Sequence, residues 1–180
     1  MKKTKIDWAD STWNPVTGCL HGCEYCYARA IANRFGWHAN EPDINERVLY
    51  EIPVFDGKKQ PYPFDFAPTF HQYRLGEPAA WTKPRTIFVC SMADLFGDWV
   101  PDEWIKRVFE ACEAAPQHRY LFLTKNPARY IELAEKDILP DGADNMWFGS
   151  TATTPETEFF FSGGHNTFLS IEPILKPFHD

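Results

Sequence analysis

No stretch of the 180 residues approaches the roughly 20 consecutive apolar residues that a membrane-crossing helix needs, so no membrane span is expected. Nor does an apolar run follow the basic start at Lys2, Lys3 and Lys5. Ile6-Asp7-Trp8-Ala9-Asp10 interrupts it, and no secretory signal is expected. Basic residues are in the minority, 18 against 25 acidic ones, for a formal net charge of −7. That balance argues against a protein whose main task is gripping nucleic-acid backbone, although a local basic groove is compatible with it. The cysteines do not come in an even number: there are five. An odd count without a secretory signal argues against a disulfide framework and for a reducing, cytoplasmic setting. What the chain has in quantity is hydrophobic residues (44%) and aromatics (16%), too many for a disordered chain, in a length suited to a single domain over residues 1–180.

Three of the five cysteines fall in Cys19-Leu20-His21-Gly22-Cys23-Glu24-Tyr25-Cys26, spaced C-x3-C-x2-C. Thiolates so crowded repel one another unless a cation neutralises them, which points to a metal centre. Three thiolates leave one position open on a tetrahedral zinc, or one iron of a cubane cluster without a protein ligand. Structural sites are usually closed, so an open position suggests chemistry. Zinc closed by His21 is the rival, although His21 lies inside the span from Cys19 to Cys23, where simultaneous chelation is cramped. Spacing alone leaves both readings open.

The rest of the chain reads as alternating strands and helices. Thr12 to Val16 is a candidate first strand, with Gly18 easing the turn into the cysteines. Tyr27, Ala30, Ile31 and Arg34 recur at helical spacing and Gly36 is a plausible stop, so Cys26 is expected at a helix start, where the positive end of the dipole favours an anion. Residues 37–84 carry seven prolines and recurrent aromatics and read as an insertion or lid, with a short helical stretch over Thr69 to Leu75. Thr86 to Cys90 is a buried strand. Pro101-Asp102-Glu103 opens a helix facing the core with Trp104, Ile105, Val108, Phe109 and Cys112. Tyr120 to Leu123 is the next strand, and Asn126-Pro127 starts a helix with Tyr130, Ile131 and Ala134 inward. Asn145 to Gly149 and Thr167 to Ile171 complete the strands. Cys90 and Cys112 read as core thiols. Alternation of this kind implies an α/β fold with a parallel sheet, whose ligands bind at the carboxyl ends of the strands. Polar residues collect at those ends: Ser91 and Asp94, then Thr124, Lys125 and Asn126, then Ser150 and Thr151, then Ser170 and Glu172.

The cysteine spacing, with an aromatic residue before the last cysteine, resembles the radical S-adenosylmethionine enzymes. Ile6-Asp7-Trp8, Thr12 to Cys19, Cys26-Tyr27-Ala28, Phe88 to Phe96, Leu121 to Pro127 and Leu169 to Leu175 are similar to the phage Gp37/Gp68 family (DUF5131). The superfamily resemblance implies a partial parallel (β/α) barrel. It also implies a [4Fe–4S] cluster on Cys19, Cys23 and Cys26, and S-adenosylmethionine on the open iron. The implied activity is reductive cleavage of S-adenosylmethionine to a 5′-deoxyadenosyl radical acting on an unknown substrate, for which a nucleotide or nucleic acid is one option. A flavodoxin- or ferredoxin-like donor would supply the electron. In that frame Asp94 would accept from the ammonium, Lys125 would pair with the carboxylate, and Ser150 would meet the ribose. Ser91 and Tyr25 would also touch the cofactor, and Glu172 would bind a ribose hydroxyl or move a substrate proton.

Two features depart from the superfamily pattern. Where a Gly-Gly-Glu type motif often follows the second strand, this chain has Ser91-Met92-Ala93-Asp94. The chain also ends shortly after Ser170-Ile171-Glu172-Pro173, and the connection over 151–166 is short for a helical crossover. The expectation is a barrel truncated after its fifth strand. The alternatives are a non-catalytic remnant of such an enzyme and a zinc-stabilised nucleic-acid-binding module.

Overall fold

The computed structural model describes Thr4, residues 6–37 and residues 42–178. In chain order the elements are β1 (Ser11–Trp13), β2 (Val16–Thr17), α1 (Tyr27–Phe35), β3 (Val48–Leu49), β4 (Val54–Phe55), β5 (Lys58–Lys59), β6 (Thr69–His71), β7 (Thr86–Val89), α2 (Asp102–Glu113), β8 (Arg119–Thr124), α3 (Ala128–Glu135), β9 (Met146–Ala152) and β10 (Asn166–Ile171). Short 3-10 turns cover Ile44–Glu46 and Gln72–Arg74. Five strands form one sheet in the order β1-β7-β8-β9-β10, every pair parallel. The chain is therefore mixed α/β, with its parallel sheet laid down in sequence order. No helix among the described residues is long and apolar enough to cross a membrane.

Period-two alternation along the strands sends one set of side chains under the helices. Trp13, Ile87, Val89, Tyr120, Phe122, Met146 and Phe148 are buried together with Trp104, Ile105, Val108, Phe109 and Cys112 of α2 and with Tyr130 and Leu133 of α3. The Phe122 and Phe148 rings stack at 5.5 Å across β8 and β9, and Phe109 meets Phe122 edge-on at 5.3 Å. The other face carries Phe88, Leu121, Trp147 and Phe168. Trp8 lies against Phe88, with ring centroids 4.8 Å apart. Gly149 has no side chain because Phe168 crosses it: a Cβ there would lie 2.3 Å from the ring.

Three sequence expectations shift. The first strand breaks at Asn14-Pro15. β1 joins the main sheet, whereas β2 turns away to pair antiparallel with β6, and β6 also pairs parallel with β3. Helix α1 has the expected extent; it packs through Ala28 and Ala32 and leaves Tyr27, Ala30, Ile31 and Arg34 exposed. Helix α3 buries Arg129, Tyr130 and Leu133, while Ile131 and Ala134 face out. In α1 the contact is made by two alanines, and in α3 Tyr130 is buried as its spacing predicts, with Arg129 and Leu133 rather than Ile131 and Ala134 beside it. Thr69 to Leu75 divides into β6 and a 3-10 turn rather than one helical stretch. The 151–166 connection forms no helix, and β10 follows β9 directly through a loop. Segment 37–84 contributes Phe66 and Phe70 to buried clusters, which fastens its second half to the body.

Candidate metal centre

The cysteine loop is anchored at both ends by backbone geometry. At its start, the Gly18 N–H donates to the Met92 carbonyl (2.9 Å) and the Cys19 N–H to the Phe66 carbonyl (3.1 Å). Gly18 adopts φ +90°, and a Cβ there would sit 2.2 Å from the Ala67 carbonyl oxygen, so only glycine fits. At its end, Cys26 is the N-cap of α1, and its Sγ accepts from the Arg29 N–H at 3.4 Å. A sulfur there faces the positive end of the helix dipole, as the sequence implied.

All three thiols are free and half-buried. Cys19 and Cys26 pack against the same small cluster of Ala28, Ala32, Phe66 and Met92, while desolvation and then the nearby charge of Cys23 raise the Tyr25 phenol above its ordinary value. Burial pushes the Cys19 thiol up to about 11. The charges of Asp94, Cys26 and Cys23 add to the rise, and a backbone hydrogen bond from His21 offsets part of it. The three sulfurs thus lie within electrostatic reach of one another. Among the described residues, however, no three His, Cys, Asp or Glu side chains converge closely enough to hold one ion. The donor set suits a thiolate-held group with an open position; the present side-chain placement does not close around one.

Asp94 is the polar centre of the site. Its buried carboxylate has four donors: His21 Nε2 at 2.8 Å and the Lys125 N–H at 2.9 Å on Oδ2, the Thr124 hydroxyl at 2.7 Å and the Phe96 N–H at 3.1 Å on Oδ1. The sequence-based reading gave Asp94 to a ligand ammonium; in the structure it ties the cysteine loop, through His21, to the ends of β7 and β8. His21 also meets Trp99 edge-on at 4.9 Å. Lys125 Nζ lies 6.0 Å from the centroid of the Tyr25 ring, so these two predicted residues are brought together.

The chain leaves β7 through Cys90 in the left-handed region, φ +58°. Asn14, unremarked in the sequence reading, clamps that turn: its Oδ1 accepts from the Met92 N–H (2.9 Å) and the Ser91 hydroxyl (3.2 Å). The Ser91 carbonyl accepts from the Tyr27 hydroxyl at 2.7 Å. Although Tyr27 is exposed overall, local desolvation, then the charges of Cys26 and Glu172, raise its phenol above the ordinary value. Glu172, exposed just past β10, lies within electrostatic range of Tyr27 at the start of α1. Ser150 is turned elsewhere: it is buried, and its hydroxyl accepts from the Phe160 N–H at 2.9 Å on the side where Phe160 meets Tyr130 of α3. Thr151 shares the opposite face with Ser170, its register partner. Ser150 and Thr151 both stand at the strand end in the sequence; alternation along β9 is the signal that separates Thr151 from Ser150.

The carboxyl edge of a parallel sheet thus carries the cysteine loop, Tyr25, Tyr27, Ser91, Asp94, Lys125 and Glu172. No curated protein and no solved structure matches the chain significantly. Over residues 3–180 it matches the family described as "Protein of unknown function (DUF5131)", and the chain belongs to that family.

Proposed function

We propose that the protein is a radical S-adenosylmethionine enzyme in which Cys19, Cys23 and Cys26 hold a [4Fe–4S] cluster. The observation that carries the reading is the position of the C-x3-C-x2-C loop. It sits over the carboxyl end of a five-stranded parallel sheet, with the third cysteine capping a helix N-terminus. When bound, such a cluster supplies the single electron that cleaves the sulfonium of S-adenosylmethionine and starts radical chemistry on a substrate. The chain's own residues do the positioning. Asp94 fixes His21 and the first turn of the cysteine loop, and Asn14 fixes the turn at Ser91. Exposed Glu172 provides acceptors for an ammonium or ribose hydroxyl, and Lys125 provides a cation for a carboxylate. A flavodoxin- or ferredoxin-like partner supplies the electron, and the setting is the cytoplasm.

Anaerobic reconstitution of the full chain tests this reading. It should yield about four iron and four sulfide per chain with absorption near roughly 400 nm, and each single Cys→Ala change in the loop should abolish it. Stoichiometric zinc without labile sulfide would sink it. One observation favours zinc as the second reading. A carboxylate bonded to one imidazole nitrogen, as Asp94 is to His21 Nε2, is the arrangement that orients a histidine ligand through its other nitrogen. In that case the protein would be air-stable and colourless, and a chelator would unfold it.

A further inference from the structure

On the outer side of the cysteine loop, between α1 and the 64–67 segment, lies a cavity of about 310 Å³ lined by Cys19, Arg29, Asn33, Phe64, Asp65 and Phe66, among others. Its chemistry is set by Arg29. The guanidinium lies over the ring of buried Phe66, 5.6 Å from its centroid, and has no hydrogen-bond or ion-pair partner among the described residues. Packing on an aromatic face immobilises a guanidinium while leaving its edge of N–H donors available for a planar or tetrahedral oxyanion. Asn33 is one helical turn further on, so its amide lies on the same wall and offers a further donor.

Among the described residues the lining carries one carboxylate, Asp65. Its Oδ1 lies against Gly36, where a Cβ would come within 2.1 Å of it, and the residue has its own partner. Asp65 is held at φ +51°, a left-handed conformation uncommon for a non-glycine residue and of the kind that collects at ligand sites. The volume is at the lower end of the range for small-molecule pockets.

We propose that this cavity is a binding subsite for the oxyanion of a small molecule, a carboxylate or a phosphate, held by the Arg29 guanidinium and the Asn33 amide beside Cys19. The bland account, an arginine stem covering an apolar ring, explains the Phe66 contact but not the cavity at its edge. The subsite requires nothing of what the cysteines bind. Through Cys19 as a shared wall, it would place the anionic end of a ligand next to the cysteine loop.

Calorimetric titration of the full chain at low salt, with inorganic phosphate in one arm and acetate in the other, tests the assignment. One saturable site is expected for at least one anion, and the arm that binds identifies the class. Arg29→Met, which preserves the packing on Phe66, should weaken binding at least tenfold. Arg29→Lys should fall between, and Arg34→Met, on the same helix but outside the cavity, should match the wild type. If Arg29→Met fails to fold by circular dichroism, Asn33→Asp at an exposed position should give a comparable loss through repulsion. Absence of saturable binding in both arms, or retention within twofold by both Arg29→Met and Asn33→Asp, overturns the proposal. Iron and zinc measured in the same samples judge the metal centre separately.

Discussion

Replacing Asp94 by asparagine isolates the carboxylate that joins the cysteine loop to the sheet. Each of its oxygens takes one backbone N–H, from Phe96 on Oδ1 and from Lys125 on Oδ2, and one side-chain donor, from Thr124 and His21 respectively. Asparagine has one oxygen and one NH2. Whichever way the amide is turned, the NH2 meets a backbone N–H, so flipping offers no relief. An unsatisfied buried N–H costs about 1–3 kcal/mol, and the remaining hydrogen bonds lose their charge assistance, for a total of about 2–4 kcal/mol. With a urea m-value of about 2 kcal/mol/M, the unfolding midpoint should fall by about 1–2 M. Asp98→Asn is the control, because among the described residues that exposed carboxylate bonds only the Asn126 side-chain amide; about 0.5 kcal/mol or less is expected. Equilibrium unfolding at pH 7 under reductant reads both variants. An Asp94→Asn protein within about 0.5 kcal/mol of wild type would refute the claim that four donors converge on one buried carboxylate.

His71 predicts an acid limb. Burial, then the nearby Arg74 charge, lowers its pKa to about 2, so the ring is neutral when folded, with Nε2 2.8 Å from the Thr17 hydroxyl. Below its ordinary pKa of about 6.5 only the unfolded chain takes up the proton. Stability is therefore intact above that pH and declines as pH falls, by about 2–3 kcal/mol on reaching pH 4.5. His71→Gln should flatten this part of the pH profile in urea titrations, and an unchanged slope would count against a buried neutral ring. Gly18→Ala, which puts a Cβ onto the Ala67 carbonyl in a left-handed backbone, should cost about 2–4 kcal/mol by the same assay. Phe148→Ala removes a ring stacked on Phe122 and edge-on to Phe109 and Tyr130, and should cost about 3–5 kcal/mol; a loss under 1 kcal/mol would contradict the core described above.

Legibility in the sequence followed how local the determining interaction was. Pro101 and the acidic pair after it fixed the start of α2, and the stripe from Trp104 to Cys112 is buried as its spacing required, because a helix with one face on a large apolar sheet and the other in solvent obeys periodicity. The strands β7, β8, β9 and β10 were readable for the same reason. Helix α1 was not readable to the same depth. Its close contact is made by Ala28 and Ala32, residues chosen for smallness rather than hydrophobicity, so the larger apolar residues were free to lie outside. The break at Asn14-Pro15 was hidden as well, since it depends on β6 arriving from more than fifty residues away to pair with β2.

The site shows the same division. Cys26 at a helix start follows from the chain's own order and is seen in the structure. The engagement of Asp94 by His21, 73 residues apart, follows only from the sheet bringing the end of β7 beside the cysteine loop. Polar residues at strand ends pointed to one edge of the sheet, and Asp94, Lys125 and the cysteine loop do meet there. Polarity was a poor guide to which side chain faces that edge, because a single step along a strand reverses the face: Ser150 bonds toward α3 while Thr151 lies across from Ser170. The same parity argument selects the residues to alter first around a bound ligand, namely buried Thr151 and its register partner Ser170 on the face away from α3, with Lys125 and Glu172 just beyond the strands. The Cys19 wall shared with the Arg29 cavity then offers a second, independent approach to the cysteine loop from outside the sheet.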